Sequence, residues 1–186
     1  MTHLNLSTIA IALGLLFALL NVFGVIKPAA FAAFARSFPR NIPIGWVLTL
    51  GATVWFLYYL SLETVSDFAA MKPFLFALFA GVGIGTCIFV RDFLAVRGLA
   101  VLLLLMAKLV TDAARLVESD WRLVLVTWAY VWVLAGMWLT ISPWRLRDLI
   151  NWGTESESRT RLFSGLRMAF GLFVMALGLT VLRTGS

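Results

Sequence analysis

The sequence predicts an all-α, polytopic integral membrane protein. Three observations carry that reading. Of 186 residues, 62% are hydrophobic and 13% charged, where soluble domains average about 45–50% apolar and about 25% charged. The apolar residues gather into runs of about 20, the length a helix needs to cross a bilayer. The basic residues fall between those runs instead of forming one face. That arrangement is the topogenic pattern of membrane proteins and argues against nucleic-acid binding, which needs a clustered basic surface.

Six spans are predicted in one transmembrane domain over 1–186: 7–26, 43–62, 73–90, 94–116, 123–141 and 162–182. The first is read as a retained helix and not a secretory signal, because no Lys or Arg precedes Lys27 and a signal needs a positive leading region. The fourth is the least apolar. Its uninterrupted core is Gly98–Ala107, about 15 Å long at 1.5 Å per residue. Arg97 and Lys108 bracket it, and Asp112 and Arg115 follow.

Charge decides whether that fourth segment crosses. With six spans and both termini outside, the inner connections hold Lys27, Arg36, Arg40, Arg91, Arg97, Arg145, Arg147, Arg159, Arg161 and Arg167. The outer side holds Lys72, Lys108, Arg115, Arg122 and Arg183. That is ten of the 15 basic residues on one side, as the positive-inside rule requires. A bacterial-type plasma (inner) membrane follows as the expected location. The outer connections at Glu63–Lys72 and Glu118–Arg122 are short.

Two connectors on the basic side have helical periodicity. In 28–40, Phe31, Phe34 and Phe38 share a face, with Arg36 and Arg40 opposite. In 143–152, Leu146, Leu149 and Ile150 share a face, with Arg145, Arg147 and Asp148 away from it. Such stretches lie flat in the headgroup region. Each follows a proline, Pro28 or Pro143, which suits the first turn of a helix. The likeness of the two hairpins fits either an internal repeat or two solutions to one problem. The window 153–160 (GTESESRT) is the most polar and reads as a water-exposed loop.

Four features bear on function. On a helix, Arg97, Lys108 and Arg115 fall within about 20° of one line, with Asp112 about 60° away. Ionisable residues in a span are expensive and mark function by default, so these four form a candidate polar or anion-contacting face. The plainer reading has Arg97 and Lys108 reaching opposite headgroup layers while Asp112 pairs with Arg115. Ala77, Gly81 and Gly85 recur every four residues, as do Ala10, Gly14 and Ala18. Small residues at that spacing let membrane helices approach closely, within the chain or against another subunit. Trp46, Trp144, Trp152 and Trp121 fall near the interfaces, where tryptophan anchors helices. Trp128 and Trp132 lie four apart inside the fifth span and are expected to stack. Asn21 reads as a packing hydrogen bond, and Asp92 as a charge partner for Arg91 or Arg97.

No catalytic, cofactor or metal motif is present. The single Cys87 and single His3 supply neither a structural zinc site nor a bis-histidine haem, so no cofactor is expected. A lipid-modifying enzyme would need acidic, His or Ser clusters at an interface. The expected function is a non-enzymatic accessory or scaffold component of a membrane assembly, partnered by lipid and by other membrane subunits or copies of itself. The alternative is a small transporter or channel for an ion or anionic solute, using the charged fourth span.

Overall fold

In the computed structural model, residues 5–63 and 71–183 are described. Among them are eight α-helices and no strand: α1 Leu6–Ile26, α2 Pro28–Ser37, α3 Ile42–Leu62, α4 Lys72–Phe89, α5 Leu94–Ala114, α6 Arg122–Ile141, α7 Trp144–Gly153 and α8 Glu157–Leu179, with a 3-10 turn at Phe38–Arg40. Six of these are long and apolar enough to cross a membrane: α1, α3, α4, α5, α6 and α8. The chain is an all-α polytopic membrane protein, and α5, the doubtful segment of the sequence, is one continuous helix of 21 residues. α2 and α7 are the two short amphipathic helices. The connection over 64–70 lies outside the described residues.

Local chemistry sets the helix ends. Asn41 caps α3, its side-chain oxygen accepting from the Ile44 amide at 3.0 Å, with Pro43 in the first turn. Ser156 caps α8 by accepting from the Arg159 amide at 3.2 Å. Glu157 then sits in the first turn, where a carboxylate meets the positive end of the helix dipole. This corrects the reading of 153–160 as a loop. Only 154–156 connects the two helices, and Thr154 and Thr160 are buried.

Basic side chains close the opposite ends. Lys72 Nζ donates to the carbonyls of Ser61 and Glu63 at the end of α3, at 2.7 and 2.9 Å. Arg122 donates to the Val117 carbonyl at 2.6 Å, just past α5. Arg159 donates to the Trp152 carbonyl at the end of α7, at 3.1 Å. The last carbonyls of a helix have no intrahelical donor, and a cation there also meets the negative dipole end.

The helix contacts fall into two compact units. One comprises 1–36, 106–134 and 147–186, and the other 37–105 and 135–146. A division of this kind has no signature in composition. The boundaries pass through the middle of α5 and α6, and no linker marks them.

In the first unit, α1 packs along α8. A Cβ on Gly14 would lie 2.5 Å from the Gly171 carbonyl oxygen and 2.5 Å from the Met175 amide, and one on Gly178 would lie 2.8 Å from the Ser7 carbonyl oxygen. Backbone meets backbone, which only small residues permit. The core adds Leu6, Ile9 and Leu13 of α1, Ala107, Val110 and Ala114 of α5, Leu125 and Ala129 of α6, and Val174 and Leu177 of α8. In the second unit, α3 and α4 form a hairpin. Phe93, Val96, Ala100 and Leu139 form its small core, with Leu103 and Leu146 packed against it.

Buried positions are rich in alanine, while Leu16, Val47, Phe74, Leu134 and Ile141 are exposed. A water-soluble protein inverts that distribution, since large exposed apolar patches associate. Here lipid is the outer solvent.

Candidate functional site

A cavity of about 270 Å³ lies within the second unit, lined by Thr49, Ala52, Thr53 and Phe56 of α3, Phe79, Val82, Gly83 and Thr86 of α4, and Arg97 and Val101 of α5. Glycines bring the three helices together. A Cβ on Gly98 would lie 2.8 Å from the Thr49 amide, and one on Gly83 would lie 2.2 Å from Thr53 Oγ1. Gly45 meets Leu94 and Ala95 as closely, at 2.9 Å. α3 therefore runs against α5 at Gly45 and Gly98, and Thr49 and Arg97 reach the same cavity.

The start of α5 is held firmly. Phe93 has φ 54°, a left-handed conformation in which a bulky residue is strained by about 1–3 kcal/mol. Its ring is buried and lies 5.9 Å beneath the Arg40 guanidinium. Its carbonyl oxygen accepts from the amides of Val96 and Arg97 at 3.0 and 3.1 Å. Four residues separate α4 from α5, and the buried ring fixes where Arg97 emerges.

The cavity is graded along the helix axes. At 1.5 Å per residue, Arg97 and Thr86 lie roughly 5 Å from the helix ends that meet at the 90–93 turn. Thr49 lies roughly 10 Å in, and Phe56 and Phe79 deeper, at roughly 15–21 Å. Arg97, Thr86 and Thr49 thus sit toward one end and the aromatic rings toward the other, with Thr53, whose hydroxyl is spent on the Thr49 carbonyl, level with the rings.

Hydroxyls in this protein are mostly satisfied by their own helix. Thr53 donates to the Thr49 carbonyl at 2.8 Å and Thr86 to the Val82 carbonyl at 2.7 Å. Thr111, Thr140 and Thr180 do the same, as hydroxyls on helices commonly do. Against that background two polar atoms of the cavity stand out. Thr49 Oγ1 and Arg97 Nε are buried and have no hydrogen-bond partner among the described residues. A neutral buried donor left unmade costs about 1–3 kcal/mol, and a charged one more.

The four charged residues of the predicted fourth span fall in different units. Arg97 belongs to the second unit, and Lys108, Asp112 and Arg115 to the first. Lys108 Nζ pairs with Asp112 Oδ2 at 2.7 Å, both side chains nearly half exposed. Asp112 therefore pairs one turn back along its helix and not with Arg115, correcting the plainer sequence reading. The i,i+4 spacing places Lys108 and Asp112 side by side. Arg115 is exposed beyond the last turn of α5. Among the described residues, Asp92 makes no ion pair with Arg91 or Arg97 within 4.0 Å.

The small-residue stripes have separate fates. Ala10, Gly14 and Ala18 are buried against α8. On α4, the close approach to α3 is made by Gly83, with Cys87 buried one turn on. Ala77 and Gly81 face outward, and a Cβ on Gly81 would meet nothing within 4 Å. The approach to α3 is thus made by Gly83, on the other side of the helix from Gly81.

The remaining sequence features settle into packing. Trp128 and Trp132 meet at 4.4 Å between centroids, and Trp128 also meets Phe17 and Phe170 edge-on at 5.3 and 5.0 Å. Asn21 donates to the Phe17 carbonyl at 2.7 Å. Arg36 donates to Thr154 Oγ1 at 3.0 Å, tying α2 to the connection before α8 beside a second cavity of about 250 Å³.

Sequence reasoning missed the threonines of the first cavity. A faint signal existed, in the Thr49–Thr53 spacing of four and in a glycine directly after Arg97. Among the described residues, no three His, Cys, Asp or Glu side chains converge. Comparison with known protein families, curated proteins and solved structures found no match.

Proposed function

We propose that this chain is a non-enzymatic component of a membrane assembly, with the outward face of α4 meeting another membrane helix. The observation that carries this reading is the stripe of Ala77, Gly81 and Gly85, whose close-approach spacing is not used by α3. The α3–α4 hairpin is also the part least covered by its own chain. In each of these helices 11% of the spanning window is buried, against 39% in α1 and 44% in α5. Small residues are where helices associate in lipid.

The proposed setting is a bacterial-type inner membrane with both termini outside the cytoplasm. The charge asymmetry supports it. On the minority side, Lys72 and Arg122 are held on helix-end carbonyls and Lys108 on Asp112.

Gly81→Leu provides the test. The open space at Gly81 means that the variant keeps the wild-type fold and melting temperature in detergent. A stoichiometric membrane partner, or a second copy, co-purifies in mild detergent with wild type and is lost from the variant. Wild-type protein that purifies as a lone chain from native membranes would sink the reading.

A second reading, transport of an anionic solute, draws support from the unpartnered Nε of Arg97 in the cavity. It requires anion flux in proteoliposomes that disappears in Arg97→Gln, and equal flux in the two would exclude it.

A further inference from the structure

We infer that the cavity between α3, α4 and α5 is a binding site for one anionic phospholipid of the surrounding bilayer. Its phosphate pairs with Arg97 and Thr49, and one acyl chain runs toward Phe56 and Phe79. The inference does not depend on an assembly partner.

Four observations carry it. Arg97 Nε and the Thr49 hydroxyl are two buried polar atoms without partners that line one cavity. Thr49 is 8% exposed, and its hydroxyl is buried without a partner among the described residues. An anionic oxygen accepts from both, and an arginine prefers phosphate or carboxylate geometry to any neutral partner.

The polarity gradient selects an amphiphile. A free inorganic anion would satisfy the shallow end and leave the Phe56–Phe79 end without an occupant. A wholly apolar molecule would leave Arg97 Nε buried and unpaired. A lipid places each part where its chemistry fits.

Size and access select a bilayer lipid. At about 270 Å³ the cavity is just below the range of about 300–1,000 Å³ usual for small-molecule sites. It takes part of one acyl chain, and the rest of the lipid remains in the bilayer. Val82 and Val101 both line the cavity and are exposed on the lipid-facing surface, Val82 at 56%. A chain can therefore slide in sideways.

Charge selects the headgroup. Arg40, Arg91 and Arg145 lie at the same end of the second unit as Arg97, and Asp92 is the one acid there among the described residues. That surplus favours a net-negative headgroup over a zwitterionic one.

Photolabelling of the full-length protein tests the site. Phosphatidylcholine vesicles carry either phosphatidylglycerol or phosphatidylcholine with a diazirine midway along one acyl chain. The phosphatidylglycerol probe is expected to form adducts on Phe56, Phe79, Val82 or Val101, about tenfold more than the phosphatidylcholine probe. Arg97→Gln removes the preference and Arg97→Lys keeps part of it. Val82→Trp, which blocks the rim and leaves the charge, lowers labelling by both probes and serves if Arg97→Gln does not fold. Equal labelling by the two probes in wild type overturns the proposal. So does labelling that survives both Arg97→Gln and Val82→Trp, or labelling displaced by millimolar inorganic phosphate, which would show a site for a free anion.

Discussion

Thr49, Arg97 and Gly14 illustrate how much one atom can decide in a membrane protein. Most hydroxyls here bond back to their own helix, so an unpartnered Thr49 Oγ1 beside an unpartnered Arg97 Nε is a departure from the protein's own habit. In detergent without anionic lipid, Arg97→Leu is expected to leave the melting temperature unchanged or raise it, because a buried N–H without a partner is replaced by an apolar group. Adding anionic lipid should raise the melting temperature of wild type and leave the variant unmoved. Gly14→Ala makes the opposite kind of change. Its new methyl meets the Gly171 carbonyl at 2.5 Å, and the overpacking should destabilise by about 1–3 kcal/mol, read by thermal unfolding in detergent. Neither orphan atom was legible in the sequence, since a missing partner is a property of three helices at once. The α1 stripe was legible as small residues, and which helix they met was not.

Elements carry a different share of the information. The helices themselves were readable from apolar length, and observed ends fall within two residues of expectation for five of the six spans. The exception is instructive. α8 begins at Glu157 because Ser156 caps it, a local signal that the polarity of 153–160 overshadowed. Ser156→Ala should cost about 1 kcal/mol and speed amide hydrogen exchange at 157–160 without changing the rest of α8. The turn into α5 makes a second element-scale case. Phe93 trades backbone strain for a buried ring that fixes the helix start. Phe93→Gly relieves the φ and removes the ring. The net is expected to be destabilising by about 1–3 kcal/mol, with the loss of anionic-lipid preference following from a displaced Arg97. The basic helix-end caps Lys72, Arg122 and Arg159 were counted in the sequence as topology signals alone.

At the scale of the molecule, composition and charge pattern named the class, and the division into two units had no sequence signature because α5 and α6 contribute to both. The proposed orientation places the connection at 154–156 on the cytoplasmic side. In a Cys87→Ser background, a cysteine introduced by Glu155→Cys should react with a membrane-impermeant maleimide in inverted vesicles and not in intact cells. Labelling in intact cells would reverse the assignment.

The buried alanines and glycines have one more implication, for how this sequence can change over time. In a water-soluble protein the positions that resist substitution are mostly large, and losing volume is the danger. Here the outer leucines, valines and phenylalanines face a fluid that accommodates almost any apolar shape, so they can drift freely in size. The rigid positions are those with almost no side chain, Gly14, Gly171, Gly178, Gly45 and Gly98, where even a methyl meets backbone or a packed side chain. Heritable variation in this protein should therefore be written in its large residues and withheld from its smallest ones.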